Sequence, residues 1–263
     1  MEDVRSYFHI GMSKTGSTYL QKYVFPYLTD FQYIKKHDYQ KYKTEIDTDL
    51  KLLFSSEKDR GIKKEIEEIN RYRPNSKVII VFREHFDWIK SKYKYYIRKF
   101  GHLKFEDYFD KVLIPDLDMH EKYYSSIIDK MNKEFPGNCL FLTYDMFKTN
   151  PDFFFRKLHR FLKTEGQKTY VNKVVKPAFN NRQLHFIRKF NRFYRYHKST
   201  SNSKIIRKLH YKYREMLLHT TAQIGQIVPV TGEPVDRELA RSKDLIQDRF
   251  REDWQTVQDY AYR

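Results

Sequence analysis

The stretch Tyr7-Phe-His-Ile-Gly-Met-Ser-Lys-Thr-Gly-Ser-Thr-Tyr-Leu20 decides how the chain is read. Tyr7 to Gly11 has the residues of a strand, Gly11 and Gly16 bracket a short polar loop, and a helix is expected over Gly16 to Leu28. A strand, a tight loop and a helix in that order aim backbone N–H groups and a helix N-terminus at one point, which suits an anion. The spacing Gly11-x4-Gly16-x-Thr18 keeps most of a phosphate-binding loop, with Ser17 standing where a nucleotide triphosphatase has its lysine. Lys14 lies inside the loop instead, where a cation meets the middle of a phosphate chain. Taken alone, the same residues also describe an ordinary strand-to-helix turn with a surface lysine.

Outward from this loop, short apolar runs alternate with longer mixed segments, the pattern of an α/β domain with a parallel sheet. Further strands are expected at Gln32 to Ile34, Leu50 to Phe54, Lys77 to Arg83 and Cys139 to Tyr144. Val78-Ile-Ile-Val-Phe82 and Cys139-Leu-Phe-Leu142 are continuous apolar runs, as in strands covered on both faces. Helices are expected at Asp59 to Tyr72, Phe86 to Lys99, Asp116 to Phe135 and Pro151 to Phe161, punctuated by Pro74, Pro136-Gly137 and Pro151. After about Glu165 the segments read as helical: near Gln183 to His197, Lys204 to Thr221 and Arg237 to Tyr262. Ser199 to Ser203 and Val228 to Pro234 read as loops between them.

A second motif follows the fourth strand. Val78-Ile-Ile-Val-Phe-Arg83-Glu-His-Phe-Asp-Trp-Ile-Lys-Ser91 is a buried strand ending in Arg, with Ser eight residues on in the next helix. Arg at a strand end offers a planar donor fork, and a serine two turns into the helix suits the same anion. Separately, Arg83 reads as a surface salt-bridge partner and Ser91 as a solvent-facing helix residue.

Together, and in this order, the two segments resemble the sulfotransferases that use 3′-phosphoadenosine 5′-phosphosulfate (PAPS), most of all bacterial members acting on carbohydrates. Ser13-Lys14-Thr15-Gly16-Ser17-Thr18 is similar to their 5′-phosphosulfate loop, and Phe105-Glu-Asp-Tyr-Phe109 and Leu142-Thr-Tyr-Asp-Met-Phe147 to later segments of that family. The resemblance implies a three-layer, P-loop-like α/β fold with a central parallel sheet flanked by helices and a helical C-terminal extension. By the same resemblance Lys14 contacts the bridging oxygen and sulfonate, while Gly16, Ser17 and Thr18 bind the 5′-phosphate. Tyr19 then takes the place of an aromatic that stacks on adenine, and Arg83 and Ser91 hold the 3′-phosphate. Arg182, after Phe179-Asn-Asn, is a candidate for the 3′-phosphate in the manner of C-terminal arginines of the family. His85 departs from the pattern, since members usually carry Pro two residues after the arginine. The resemblance spans roughly residues 4 to 165.

Sulfuryl transfer is largely positioning and charge stabilisation between an attacking and a leaving oxygen. It needs a cation at the leaving oxygen, donors for the sulfonate and a base for the acceptor hydroxyl. Lys14 and the helix start at Ser17-Thr18 meet the first two needs. For the base, Leu52-Leu-Phe-Ser-Ser-Glu57 puts a carboxylate at the end of an apolar strand, on the sheet edge where α/β proteins bind ligands. Two roles are open to Glu57: the base, or a cap on the following helix. His37 and His9 are further candidates, and Tyr144, at a strand end, borders the nucleotide or packs. No His/Asp/Glu cluster has metal-ligand spacing, so no metal is expected.

Composition bounds the rest. The chain has 263 residues, with 51 Lys+Arg against 34 Asp+Glu for a net charge of +17, and 40% hydrophobic with 17% aromatic content excludes a disordered polyelectrolyte. Cys139 is the single cysteine, which excludes an internal disulfide framework. The longest apolar run is far too short to span a bilayer, and the start Met1-Glu-Asp-Val-Arg-Ser6 does not read as a signal peptide, so a cytoplasmic protein is expected.

From Gly166 to Arg214 there is no acidic residue but fourteen basic ones, from Lys168, Lys173 and Lys176 through Arg195 and Lys198 to Arg214. The expected organisation is therefore a nucleotide-binding core over 1–165 and a basic helical region over 166–263 packed on it, one domain overall. In Phe186 to His197, Phe186, Ile187, Phe190, Phe193 and Tyr194 are expected as an apolar stripe, with Arg188, Lys189, Arg192 and Arg195 on the solvated face. The charge suits an acidic or lipid-linked glycan acceptor, or contact with an anionic membrane. A nucleic-acid-binding module accounts for the charge but not for the ordered phosphate motifs, so nucleic acid is not an expected partner. A P-loop kinase accounts for the first loop only.

Overall fold

The computed structural model describes residues 5–116, 123–164, 179–194, 201–229 and 231–263. Five strands, β1 (Ser6–His9), β2 (Phe31–Ile34), β3 (Lys51–Ser55), β4 (Lys77–Phe82) and β5 (Cys139–Thr143), form one parallel sheet in the order β2-β3-β1-β4-β5. The expected α/β class holds. Val78 to Phe82 have no exposed surface, as their unbroken apolar run requires of a strand covered on both faces. The chain runs from β1 to β2 at the sheet edge, returns to place β3 between them, then crosses β1 to place β4 on its other side. In open α/β sheets ligands bind where the strand order reverses in this way, here at the carboxyl ends of β1, β3 and β4.

The helices are α1 (Ser17–Tyr19), α2 (Ile62–Tyr72), α3 (His85–Arg98), α4 (Phe105–Tyr108), α5 (Ile114–Asp116), α6 (Tyr124–Glu134), α7 (Tyr144–Thr149), α8 (Pro151–Leu162), α9 (Asn181–Phe193), α10 (Lys204–Ile227), α11 (Val235–Arg249) and α12 (Arg251–Tyr262). Several bounds differ from the sequence expectation. The single helix over Gly16 to Leu28 is instead α1, a wide turn over Leu20–Val24 and a tight one over Phe25–Tyr27. Pro26 has no N–H to give, and the segment closes with Leu28 N bonded to Phe25 O at 3.4 Å. A 3-10 segment over Lys36–Lys43 was not foreseen. The helix over Arg237 to Tyr262 is two, parted at Phe250, whose ring stacks on His85 with centroids 4.3 Å apart. α10 runs past Thr221 to Ile227 because Ala222 and Gly225 continue its buried face. The expected helix over Asp116 to Phe135 falls partly on residues 117–122, and the loop reading of Ser199 on 199–200, outside the described residues.

The described residues divide into two compact units. The first lies within Met1–Trp88, Ile114–Val175 and Gln247–Arg263, the second within Ile89–Leu113 and Lys176–Ile246. The first holds the sheet and its buried aromatic residues, among which Phe8 stacks on Phe54 with centroids 4.7 Å apart. Its α12 lies along β5, with Tyr260 edge-on to Phe141 at 5.5 Å.

In the second unit α9 and α10 pair closely. A Cβ on Gly225 would sit 2.6 Å from Cβ of Phe186, so glycine there permits the approach. The expected apolar stripe of α9 is corrected here. Phe193 is 89% exposed, while Leu184, Ile187, Arg188 and Asn191 form the buried face. Arg188 is not on the solvated side. It donates from Nη1 and Nη2 to the two carboxylate oxygens of Glu238 at 2.5 and 2.8 Å, and from Nη1 to the Tyr93 hydroxyl at 2.7 Å. The ion pair satisfies a guanidinium that helical periodicity alone assigns to solvent. Of the basic residues after Glu165, Lys168, Lys173, Lys176, Arg195 and Lys198 lie outside the described residues.

Candidate functional site

Of the connections that leave the carboxyl edge of the sheet in the first unit, four carry the site: residues 10–16 after β1, Ser56 to Asp59 after β3, Arg83-Glu84 after β4 and Tyr144 after β5. The first is anchored to β4, since Ile10 N and Met12 N bond to Ile79 O and Val81 O at 3.1 and 3.2 Å. Its curvature depends on special backbone. Gly11 has φ 144°, and a Cβ there would meet the Lys58 carbonyl oxygen at 2.9 Å. Gly16 has φ 88°, and Lys14, at φ 66°, holds a left-handed conformation that costs a non-glycine residue on the order of 1–3 kcal/mol.

Hydroxyls brace the inside of this loop. Thr15 Oγ1 and Ser17 Oγ both donate to the Met12 carbonyl, at 2.6 and 2.8 Å, and both residues are buried. Their side chains are therefore spent on loop shape, and the groups they offer an anion are backbone N–H. Ser13 donates from N and Oγ to the two oxygens of Asp59, at 2.9 and 2.6 Å, and its carbonyl accepts from Trp88 Nε1 at 3.0 Å. Asp59 and Trp88 were not singled out in the sequence. Their signal is positional only: a carboxylate two residues past Glu57, and a Trp within the Arg83 motif, in the first turn of α3.

Arg83 joins the loop directly. Its Nη1 donates to the Lys14 carbonyl at 3.1 Å, its guanidinium lies 4.7 Å from the centroid of the Tyr144 ring, and its Nε is buried without a hydrogen-bond partner. A fork held on two sides with one buried donor unmatched suits an anion. Tyr144 also backs Gly16, where a Cβ would meet its ring at 3.4 Å. Glu84 donates nothing here; its carboxylate accepts from Phe86 N and Asp87 N at 3.1 and 2.9 Å and so caps α3.

Glu57 comes to the same edge. Its Oε1 accepts from Thr18 Oγ1 at 3.4 Å and its Oε2 from Lys36 Nζ at 3.2 Å. It does not cap α2, whose first turn is preceded by Gly61 in a left-handed conformation. His37 is exposed and lies 3.0 Å from Asp38, while the neighbouring Lys36 is the residue that reaches Glu57. His9 is wholly buried in β1, with Nδ1 2.8 Å from Ser55 Oγ, and burial lowers its pKa to about 3, so it stays neutral.

Tyr19 is only 8% exposed, packed among Tyr23, Phe147 and Phe155; its ring is a wall of the aromatic core rather than an open stacking face. Ser91, half-buried in the second turn of α3, and Arg182, exposed in the first turn of α9 behind the Asn180 cap, belong to the second unit. Among the described residues no group of three or more His, Cys, Asp or Glu is placed to hold a metal ion, and no helix is long and apolar enough to cross a membrane.

The profile of the sulfotransferase domain matches residues 5–212. Among solved structures the chain is similar to a sulfotransferase from Alicyclobacillus acidocaldarius, at 14% identity over 83% of this chain and 97% of that one, with a TM-score of 0.51. That likeness is one of fold. A sulfotransferase domain from the curacin biosynthetic pathway is similar at 13% identity over 95% of this chain and 98% of its own, with a TM-score of 0.38. No curated protein sequence matches the chain.

Proposed function

Because the chain belongs to the sulfotransferase family, we propose that it transfers a sulfuryl group from PAPS to a hydroxyl of a carbohydrate, releasing adenosine 3′,5′-bisphosphate and using no metal. The observation that supports this reading best is the bond from Arg83 to the Lys14 carbonyl, which ties the residue after β4 to the loop after β1 at one sheet edge. Two anion-binding elements held together suit a nucleotide with phosphate at both its 3′ and 5′ positions.

In this reading the backbone of Ser13 to Thr18 surrounds the 5′-phosphosulfate, and the Lys14 ammonium neutralises charge on the bridging oxygen as the S–O bond to it breaks. Arg83, with its unmatched Nε, holds the 3′-phosphate. Tyr19 backs the adenine side of the loop, with the half-buried Tyr144 beside it. The acceptor oxygen forms the new S–O bond while Glu57 takes its proton. Lys36 and Thr18 fix the Glu57 carboxylate in position through one hydrogen bond to each of its oxygens. Functionally, we assign residues 1–165 to the nucleotide and 166–263 to the acceptor, where the excess positive charge favours an acidic or lipid-linked glycan. A cytoplasmic setting accompanies this assignment, with Cys139 a free thiol whose burial raises its pKa to about 12.

Binding and transfer assays test the reading. The full chain should bind adenosine 3′,5′-bisphosphate far more tightly than AMP or ATP in the absence of magnesium, and transfer label from radiolabelled PAPS to an acceptor within a glycan panel. Equal affinity for AMP would remove the 3′-phosphate assignment. A magnesium requirement with a preference for ATP would favour a kinase.

A further inference from the structure

The second unit carries an apolar helix face that its own fold leaves uncovered. α10 is anchored at its C-terminal end, where Leu218, Thr221, Ala222 and Gly225 are buried along one stripe. From Lys204 to Leu217 no residue is buried, although this part of the helix is about 21 Å long. Ile205, Ile206, Leu209, Tyr213 and Met216 are all exposed, at 72%, 50%, 61%, 45% and 61%. At 3.6 residues per turn these five side chains fall within about 100° of arc. Lys204, Arg207, Lys208 and Lys212 occupy the adjoining arc, all exposed, and the nearest carboxylate, Glu215, is engaged by Arg214.

We propose that the N-terminal half of α10 is an interfacial helix that docks the protein on an anionic lipid bilayer, with Ile205, Ile206, Leu209, Tyr213 and Met216 entering the acyl boundary and the four cations among the headgroups. The pattern selects this occupant over two others. A second copy of the same face would bring four cations against four, and a nucleic acid would use the cations while leaving the apolar arc in water. An anionic bilayer satisfies both arcs at once. The helix lies in the surface rather than crossing it, since it lacks the length and apolarity of a span. The proposal is independent of the sulfuryl-transfer reading, as none of these residues belongs to the nucleotide site.

Co-sedimentation of the full chain with vesicles tests it. Vesicles of phosphatidylcholine with about one-third phosphatidylglycerol should bind the protein at ~0.1 M salt, and pure phosphatidylcholine should bind it at least about tenfold more weakly. Ile205→Gln/Leu209→Gln/Met216→Gln should lose about tenfold or more on the anionic vesicles with its melting temperature unchanged, because none of the three is buried in the fold. Lys204→Gln/Lys208→Gln/Lys212→Gln should lose a similar factor and become insensitive to salt. Failure to bind anionic vesicles overturns the proposal, and so does binding that survives the apolar substitutions. It is equally overturned by a dimer in sedimentation velocity that the apolar substitutions dissolve, or by tight binding of an oligonucleotide without vesicle binding.

Discussion

Arg83 Nη1 donates to the main-chain oxygen of Lys14 at 3.1 Å, so the side chain that ends β4 holds the backbone of the loop that follows β1. The loop carbonyl at Lys14 is in the strained left-handed segment, and the guanidinium is its external brace. If Arg83 holds the 3′-phosphate as proposed, the brace on the loop is its lesser part in binding and the 3′-phosphate contact its larger one. Arg83→Ala should lower affinity for adenosine 3′,5′-bisphosphate by about 10- to 100-fold while leaving AMP affinity within about threefold, and Arg83→Lys should not restore it, because an ammonium cannot serve two directions at once. Calorimetric titration of the two nucleotides measures the ratio.

Lys14→Ala should leave nucleotide affinity within about tenfold but reduce transfer by about 10² to 10³, the usual effect of removing one charge-stabilising group from a transition state. Single-turnover transfer of label, with circular dichroism to establish an intact fold, measures this. Glu57→Gln should bind the nucleotide normally and lose turnover. Lost binding instead would mean that the bonds from Thr18 and Lys36 to Glu57 serve loop structure.

Gly11→Ala should destabilise the first unit by about 2 kcal/mol or more, because its Cβ would lie 2.9 Å from the Lys58 carbonyl and its φ of 144° is foreign to L side chains. A fall in melting temperature of roughly 4–8 °C is expected by differential scanning fluorimetry. Gly61→Ala, where nothing lies within 4 Å, should cost less despite its left-handed backbone.

What the sequence revealed of this site follows from what each residue does alone. Val78 to Phe82 betray a central strand because burial on both faces leaves a contiguous apolar run, and Gly11 and Gly16 betray the loop because only certain backbone conformations close it. Trp88 and Asp59 were not legible, since the bonds to Ser13 depend on which connections meet at one sheet edge, and that is set by the crossover from β3 to β4. Arg188 misled for a related reason. Periodicity assigns a charged residue on a helix to water, and only the tertiary partner Glu238 reverses the assignment. The exposed Phe193 and the uncovered N-terminal half of α10 show the same limit from the apolar side, for a hydrophobic pattern specifies a face without naming what covers it.

Acid should weaken the first unit through Asp253. Its carboxylate accepts from Tyr124 N and Ser125 N at 2.8 and 2.9 Å, at the start of α6, and lies 3.0 Å from His85 Nε2, whose ring is stacked between Tyr124 and Phe250. Burial alone pushes its pKa up, but His85 and the two amides outweigh burial and hold it below the usual carboxylate value. A depressed folded-state pKa contributes stability that is present above the unfolded value of about 3.9 and is lost as pH falls through the folded one. Thermal melts from pH 7 toward pH 3 should therefore show the wild type losing stability at the acid end. Asp253→Asn should start lower and lose less over the same interval. Parallel curves for the two proteins would mean that other carboxylates dominate.

In the second unit the Arg188–Glu238 pair should behave asymmetrically. Glu238 Oε2 also accepts from Phe105 N at 3.1 Å, so its charge is held by α9 and by the first turn of α4 together. Arg188→Met leaves a buried carboxylate without its cation and should destabilise by about 3–5 kcal/mol. Arg188→Met/Glu238→Met removes both charges and should recover a large part of that loss, because the desolvation penalty of each ion disappears with it. Chemical denaturation of the wild type, the two single variants and the double variant closes the cycle. A double variant as unstable as the sum of the singles would show that Glu238 matters through its bond to Phe105 N rather than through its charge on Arg188.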